Sequence, residues 1–121
     1  QQEETHIMEN IIYNELISRG YTVDVGVVEI WTTDESGNRK KINCEIDFVA
    51  NRGRKKYYIQ SALNVSDAVK EKTELRPFLG TNDFFRKIIV TKSNMKPWLD
   101  ENGILRLGLY EFLLNESAVD F

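Results

Sequence analysis

The run Ile88-Ile89-Val90 constrains this chain more than any other feature. Three branched apolar residues in a row give neither a helical stripe nor a period-two alternation. They suit a strand buried on both faces, inside a sheet covered on each side. A parallel neighbour reaches such a strand only through a crossover of a dozen or more residues. The preceding segment supplies one: Ser66 can cap a helix through about Arg76, which Pro77 ends or kinks. The expected class is therefore α/β, with a sheet that mixes parallel and antiparallel pairs.

The rest of the chain fits that frame. Ile7, Ile11, Ile12, Leu16 and Ile17 recur at a helical period, with Thr5 as N-cap and Arg19-Gly20 as the stop. This predicts a helix over about residues 6–19. From Tyr21 the period becomes two: Val23, Val25 and Val27 alternate, then the phase slips to Val28, Ile30 and Trp31, which predicts a bulge near Gly26–Val28. After the turn cluster Asp34–Asn38 comes a second strand. Ile42, Cys44, Ile46 and Phe48 take one face and Asn43, Glu45, Asp47 and Val49 the other. The Asn51-Arg52-Gly53 turn leads to a third strand from Tyr57 to Leu63, completing an antiparallel meander. Strand four, Lys87 to Thr91, is expected parallel to strand three. A short strand (Ile104 to Leu107) and a short helix (Leu109 to Leu114) close the chain.

The 121 residues make one domain, without repeat or low-complexity tract. The polar opening Gln1-Gln2-Glu3-Glu4 reads as a linker remnant and residues 5–121 as the domain, cut from a longer protein. The 16 basic and 19 acidic side chains leave a net charge of −3, unlike a strongly basic nucleic-acid module. No apolar run suits a membrane span, so no membrane partner is expected. One cysteine and one histidine exclude Cys/His zinc frameworks and point to a reducing, cytoplasmic setting.

Asp47 and Gln60 face each other across strands two and three, and Gln60 and Ala62 share a face of strand three. Glu9 lies at the edge of the apolar stripe of helix one. The order α-β-β-β-α-β, with Glu9, then Asp47 of Glu45-Ile46-Asp47-Phe48-Val49, then the triplet Gln60-Ser61-Ala62, resembles the PD-(D/E)XK nuclease superfamily. Glu9 falls eleven residues before Gly20, a spacing similar to Holliday-junction resolvases of that superfamily. More closely, Glu9-Asn10-Ile11-Ile12-Tyr13-Asn14-Glu15-Leu16, the Asp47 motif and Tyr58-Ile59-Gln60 look like the C-terminal domain of bacterial and archaeal AAA-type ATPases. The resemblance implies a restriction-endonuclease-like core and a preceding ATPase domain as partner. It also implies a site in which Asp47, Glu9 and Gln60 would hold Mg²⁺. Here a neutral amide (Gln60) stands where the superfamily has an acid, and Ala62 stands where it has a lysine. Lys92 is the one lysine placed to substitute. The resemblance therefore implies a vestigial site of Glu9, Asp47, Gln60 and Ala62. It implies a non-catalytic regulatory or interaction domain that needs no cofactor. The alternative is a divalent-metal nuclease with a rearranged site.

Other features have plainer readings. Arg39-Lys40-Lys41 and the group Arg52, Arg54, Lys55, Lys56 are either phosphate contacts or solvated turn charge, and an acidic chain favours the second. Glu9 is either a surface helix residue or a remnant metal ligand. Glu15 is paired on the apolar side or exposed. His6 is incidental. Cys44 alternates with Ile42 and Ile46 as a buried thiol. Trp31, Trp98 and Phe112 read as core or edge-of-core aromatics. No glycine-rich phosphate loop is present, so this chain carries no ATP site of its own.

Overall fold

A computed structural model describes residues 2–63, 72 and 75–121. Six strands form one mixed sheet: β1 (Thr22–Thr33), β2 (Arg39–Arg52), β3 (Lys55–Ala62), β4 (Arg86–Thr91), β5 (Trp98–Leu99) and β6 (Leu105–Gly108). Their spatial order is β1-β2-β3-β4-β6-β5. The first three make an antiparallel meander. β4 runs parallel to β3, with Ile88 opposite Ile59, and β6 runs parallel to β4. β5 returns antiparallel on the far edge, a strand the sequence does not announce. The predicted crossover helix falls mostly on residues 66–71, 73 and 74, outside the described residues. The chain is described again through a 3-10 turn at Arg76–Gly80, where Pro77 occupies the first turn.

Helix α1 (Gln2–Ser18) lies against one face of the sheet beside α2 (Leu109–Leu114) and a 3-10 turn at Glu116–Asp120. The larger core forms there. Met8, Ile12 and Leu16 pack with Phe48, Ile59, Ile88, Val90, Leu107 and Phe112. The opposite face buries Ile46, Tyr58, Ala62, Phe78, Ile89 and Ile104. Ile88 and Val90 thus enter one core and Ile89 the other, as a two-faced strand requires.

Several expectations need correction. Helix α1 starts at Gln2, so Gln2–Glu4 are helix and not linker, and Thr5 is inside it. Glu3 and Glu4 sit in its first turn, where acids interact favourably with the helix dipole, and Glu4 is ion-paired with Lys92. Its buried stripe is Met8, Ile12 and Leu16, while Ile7, Ile11 and Ile17 are exposed. Glu15 is paired, its Oε2 receiving the Arg19 Nε–H at 2.8 Å. Trp31 and Trp98 are 58% and 44% exposed and Cys44 is half-buried, so only Phe112 of that group is core. Arg39 and Lys41 cover the Trp31 ring at 5.0 and 5.6 Å.

The bulge lies nearer the first strand's start than predicted, and its extra residue belongs to the second strand. Gly26 pairs with Ile46 and Asp24 with Val49, so Val25 faces both Asp47 and Phe48. The phase of β2 therefore inverts. Ile46 enters the far core, and Phe48 enters the core beneath α1 rather than sharing a face with Ile46.

Two close fits brace the far end. Asp100 and Arg106 form a buried ion pair at 2.8 Å, with side chains only 2% and 6% exposed. Gly108 is approached so closely by the Ser93–Met95 backbone that a Cβ there would lie 2.2 Å from the Ser93 carbonyl oxygen. No helix among the described residues is long and apolar enough to cross a membrane.

Candidate functional site

A groove of about 290 Å³ opens between α1 and the first two strands, lined by Glu9, Asn10, Tyr13, Val25, Glu45, Asp47 and Phe48. Its two principal acids come from different elements. Glu9 stands one residue beyond buried Met8, at the margin of the packed stripe, so its carboxylate reaches the groove rather than the core. Glu45 and Asp47 reach it by strand alternation, since Ile46 between them enters the far core, and the bulge adds Phe48 to the same face.

The Asp47 carboxylate is held from below. Its Oδ2 accepts the Ser61 N–H at 2.9 Å and the Ser61 hydroxyl at 3.2 Å. Burial raises the Asp47 carboxyl above the usual aspartate range. Ser61's two hydrogen bonds only partly oppose this, and the Glu45 charge adds to the rise. Glu9 is raised as well, first by burial and then by the Asp47 charge, with His6 partly offsetting it. The groove thus gathers negative charge that neighbouring groups do not neutralise.

Glu9 and Asp47 meet as the sequence suggests, but Gln60 and Ala62 do not join them. Asp47 and Gln60 are cross-strand neighbours, one step beyond the Phe48–Ile59 pair. Strand alternation places Gln60 with Tyr58 and Ala62, on the face away from α1. Asp47 takes the opposite face. Gln60 is 4% exposed, and its Oε1 accepts the Asp47 backbone N–H at 2.7 Å. A bulge interrupts the ladder and leaves a backbone donor to be satisfied. The Gln60 amide meets that need at Asp47. Ala62 is packed into the far core. Lys92, the possible substitute lysine, is ion-paired with Glu4 near the start of α1.

Among the described residues no three Asp, Glu, His or Cys side chains gather closely enough to share one metal ion. Tyr13, Val25 and Phe48 line the groove and Ser61 holds Asp47 from beneath it, roles that sequence reasoning passes over. Tyr13 follows Glu9 by one helical turn, a spacing that marks it as a neighbour. Ser61 and Phe48 carry no signal until the bulge is placed.

Comparison with known proteins supplies the family. A protein of Haemophilus influenzae (strain ATCC 51907 / DSM 11121 / KW20 / Rd), described as an uncharacterized protein, is 32% identical over 84 residues. That stretch is 69% of this chain and 17% of the relative, so the chain spans a small part of the relative's length. No solved structure matches. Residues 4–110 match the family described as "Domain of unknown function (DUF4143)", from the start of α1 into α2. The chain belongs to the DUF4143 family.

Proposed function

We propose that this domain is a non-catalytic regulatory or interaction module, built on a degenerate PD-(D/E)XK nuclease-like frame, that serves a longer cytoplasmic AAA-type ATPase. One observation carries the loss of catalysis: the residues at the acid and lysine positions of the triplet face away from the groove that holds Glu9 and Asp47. Gln60 is already engaged with the backbone of β2, and Ala62 is packing. A nuclease of this kind needs a metal to polarise phosphate and a positioned cation to stabilise developing charge. The groove offers carboxylates alone. Removing one such electrostatic group commonly costs ~10²–10³ in rate, and here both are displaced. The helix–meander–parallel-strand order supports the nuclease-like frame, and the small share of the relative that this domain spans is compatible with a larger parent.

The test has two parts. Purified domain incubated with plasmid, single-stranded DNA and structured RNA, in Mg²⁺ and in Mn²⁺, is expected to leave all three intact. Cleavage that disappears in Asp47→Ala would replace this reading with that of a metal-dependent nuclease. The coding sequence around this segment is expected to encode a Gly-x-x-x-x-Gly-Lys-Ser/Thr phosphate loop, and its lack there would remove the ATPase association.

A further inference from the structure

Strands β3 and β4 begin side by side, with Tyr57 opposite Arg86, so the segments leading into them share one end of the sheet. Phenylalanines project from that end. Phe84 is fully exposed, and Phe85 and Phe121 are 43% and 58% exposed. Arg86 Nη1 donates to the Phe121 carbonyl at 3.1 Å, which ties Phe121 to the same place.

Cations surround these rings. Lys56 Nζ lies 5.2 Å from the Phe85 ring centre and 5.3 Å from that of Tyr58. Lys87 lies 5.6 Å from the same Tyr58 ring. Arg54 is exposed in the adjoining turn. Two acids partly balance the group: Asp83 pairs with Lys87 at 3.6 Å and Asp120 with Lys55 at 3.2 Å. Lys56 also lies within reach of the Asp83 charge, so five cations (Arg54, Lys55, Lys56, Arg86 and Lys87) share two acids, Asp83 and Asp120. This end is therefore net positive on a chain whose net charge is −3.

The shape of the patch decides its partner. Phe84 projects with its whole side chain in water. An extended peptide or a single strand of nucleic acid binds along a groove or track, whereas the Phe84 ring, wholly in water, lies in none. A bilayer interface deforms around an aromatic tip and sets anionic headgroups beside the cations that flank it. We propose that this end of the sheet docks on an anionic lipid surface. Phe84 and Phe85 enter the boundary between headgroups and acyl chains, while the long Arg54 and Lys56 side chains stay at the phosphate level. Contact of this kind needs no spanning helix and no part of the groove beneath α1.

The experiment is co-sedimentation of the chain with vesicles. One set is phosphatidylcholine alone; the other contains about one-third phosphatidylglycerol, at low and physiological salt. Partition is expected to be at least about tenfold stronger on the anionic vesicles and to weaken as salt rises. Phe84→Ser is expected to lower it about tenfold. The double variant Arg54→Glu/Lys56→Glu is expected to abolish it. Phe84 and Arg54 are exposed and Lys56 is half-buried, and unchanged circular-dichroism melts show that the variants stay folded. Undetectable binding, equal partition to both vesicles, or binding that survives both variants would overturn the proposal. So would capture of a single-stranded oligonucleotide or polyglutamate, lost in the same variants, without vesicle binding.

Discussion

Replacing Asp47 with asparagine is expected to stabilise the domain at neutral pH and to change little in acid. Burial and the Glu45 charge hold the Asp47 carboxyl above its ordinary range despite the two bonds from Ser61. A carboxyl whose folded pKa exceeds its unfolded value binds its proton more tightly in the folded state. Its contribution to stability is full at low pH and is lost as pH rises through the folded pKa. Above that point the folded protein carries an unfavourable charge. Asparagine cannot ionise, so the variant escapes the loss, and its Oδ1 can still accept the Ser61 N–H that now lies 2.9 Å away. Two acids, Glu9 and Glu45, face Asp47 in the groove. Relief from each like charge at a part-exposed site amounts to ~0.2–1 kcal/mol. The weaker hydrogen bond to a neutral acceptor takes back part of this, leaving a gain on the order of 1 kcal/mol. With a urea m-value of ~2 kcal/mol per M, the midpoint should rise by ~0.5 M at pH ~7 and stay put at pH ~3. Asp47→Ala is the control: it strands the Ser61 N–H and should cost ~1 kcal/mol instead. A loss of stability in Asp47→Asn at neutral pH, or an equal gain at both pH values, would refute the electrostatic account of the groove.

The ion pair and the close glycine give two further predictions. Asp100→Ala removes the acceptor for Arg106 and for the Asn102 and Ile104 N–H groups, and should cost ~3–5 kcal/mol by urea unfolding. The Asp100→Ala/Arg106→Met double variant should cost less than the sum, and a single-variant loss under ~1 kcal/mol would mean that water already reaches the pair. Burial alone would raise the Asp100 carboxyl, but Arg106 and the two backbone donors outweigh it and lower it, so this contribution is present at neutral pH and lost as pH falls through the folded pKa. Gly108→Ala places a methyl 2.2 Å from the Ser93 oxygen and 2.6 Å from the Met95 nitrogen. Backbone on both sides cannot rotate away, so a loss of ~3 kcal/mol is expected, and an unchanged melting temperature would show that the Ser93–Met95 segment does not pack there.

Much of the architecture was legible because periodicity and turn chemistry report local geometry directly. Ile88-Ile89-Val90 announced a central strand, the Asn51–Gly53 turn announced the β2–β3 hairpin, and Leu109–Leu114 is a helix over the span read from the sequence. Partner-dependent features were less visible. Trp98-Leu99 becomes a strand only because Leu105 and Arg106 lie beside it. The start of α1 was misplaced because the sequence does not show Lys92 waiting for Glu4. The site was half legible. Helix period and strand order brought Glu9 and Asp47 to one groove. The fate of Gln60 was hidden, since a uniform alternation along β2 puts it with Asp47, and a single extra residue between Ile46 and Val49 separates the two.

That extra residue also governs how related sequences should be lined up. A relative whose second strand lacks the bulge would be one residue shorter between the counterparts of Ile46 and Val49, and its alternation would run unbroken. Aligned without a gap, its residues beyond that point would appear to exchange core and solvent positions for no reason. Aligned with a one-residue gap there, the pattern recovers its sense. A single-codon deletion of Asp47 would remove the bulge and leave Ile46, Phe48, Val49 and Ala50 on the faces they hold now, whereas a deletion in β2 outside the bulge would move every residue beyond it to the opposite face.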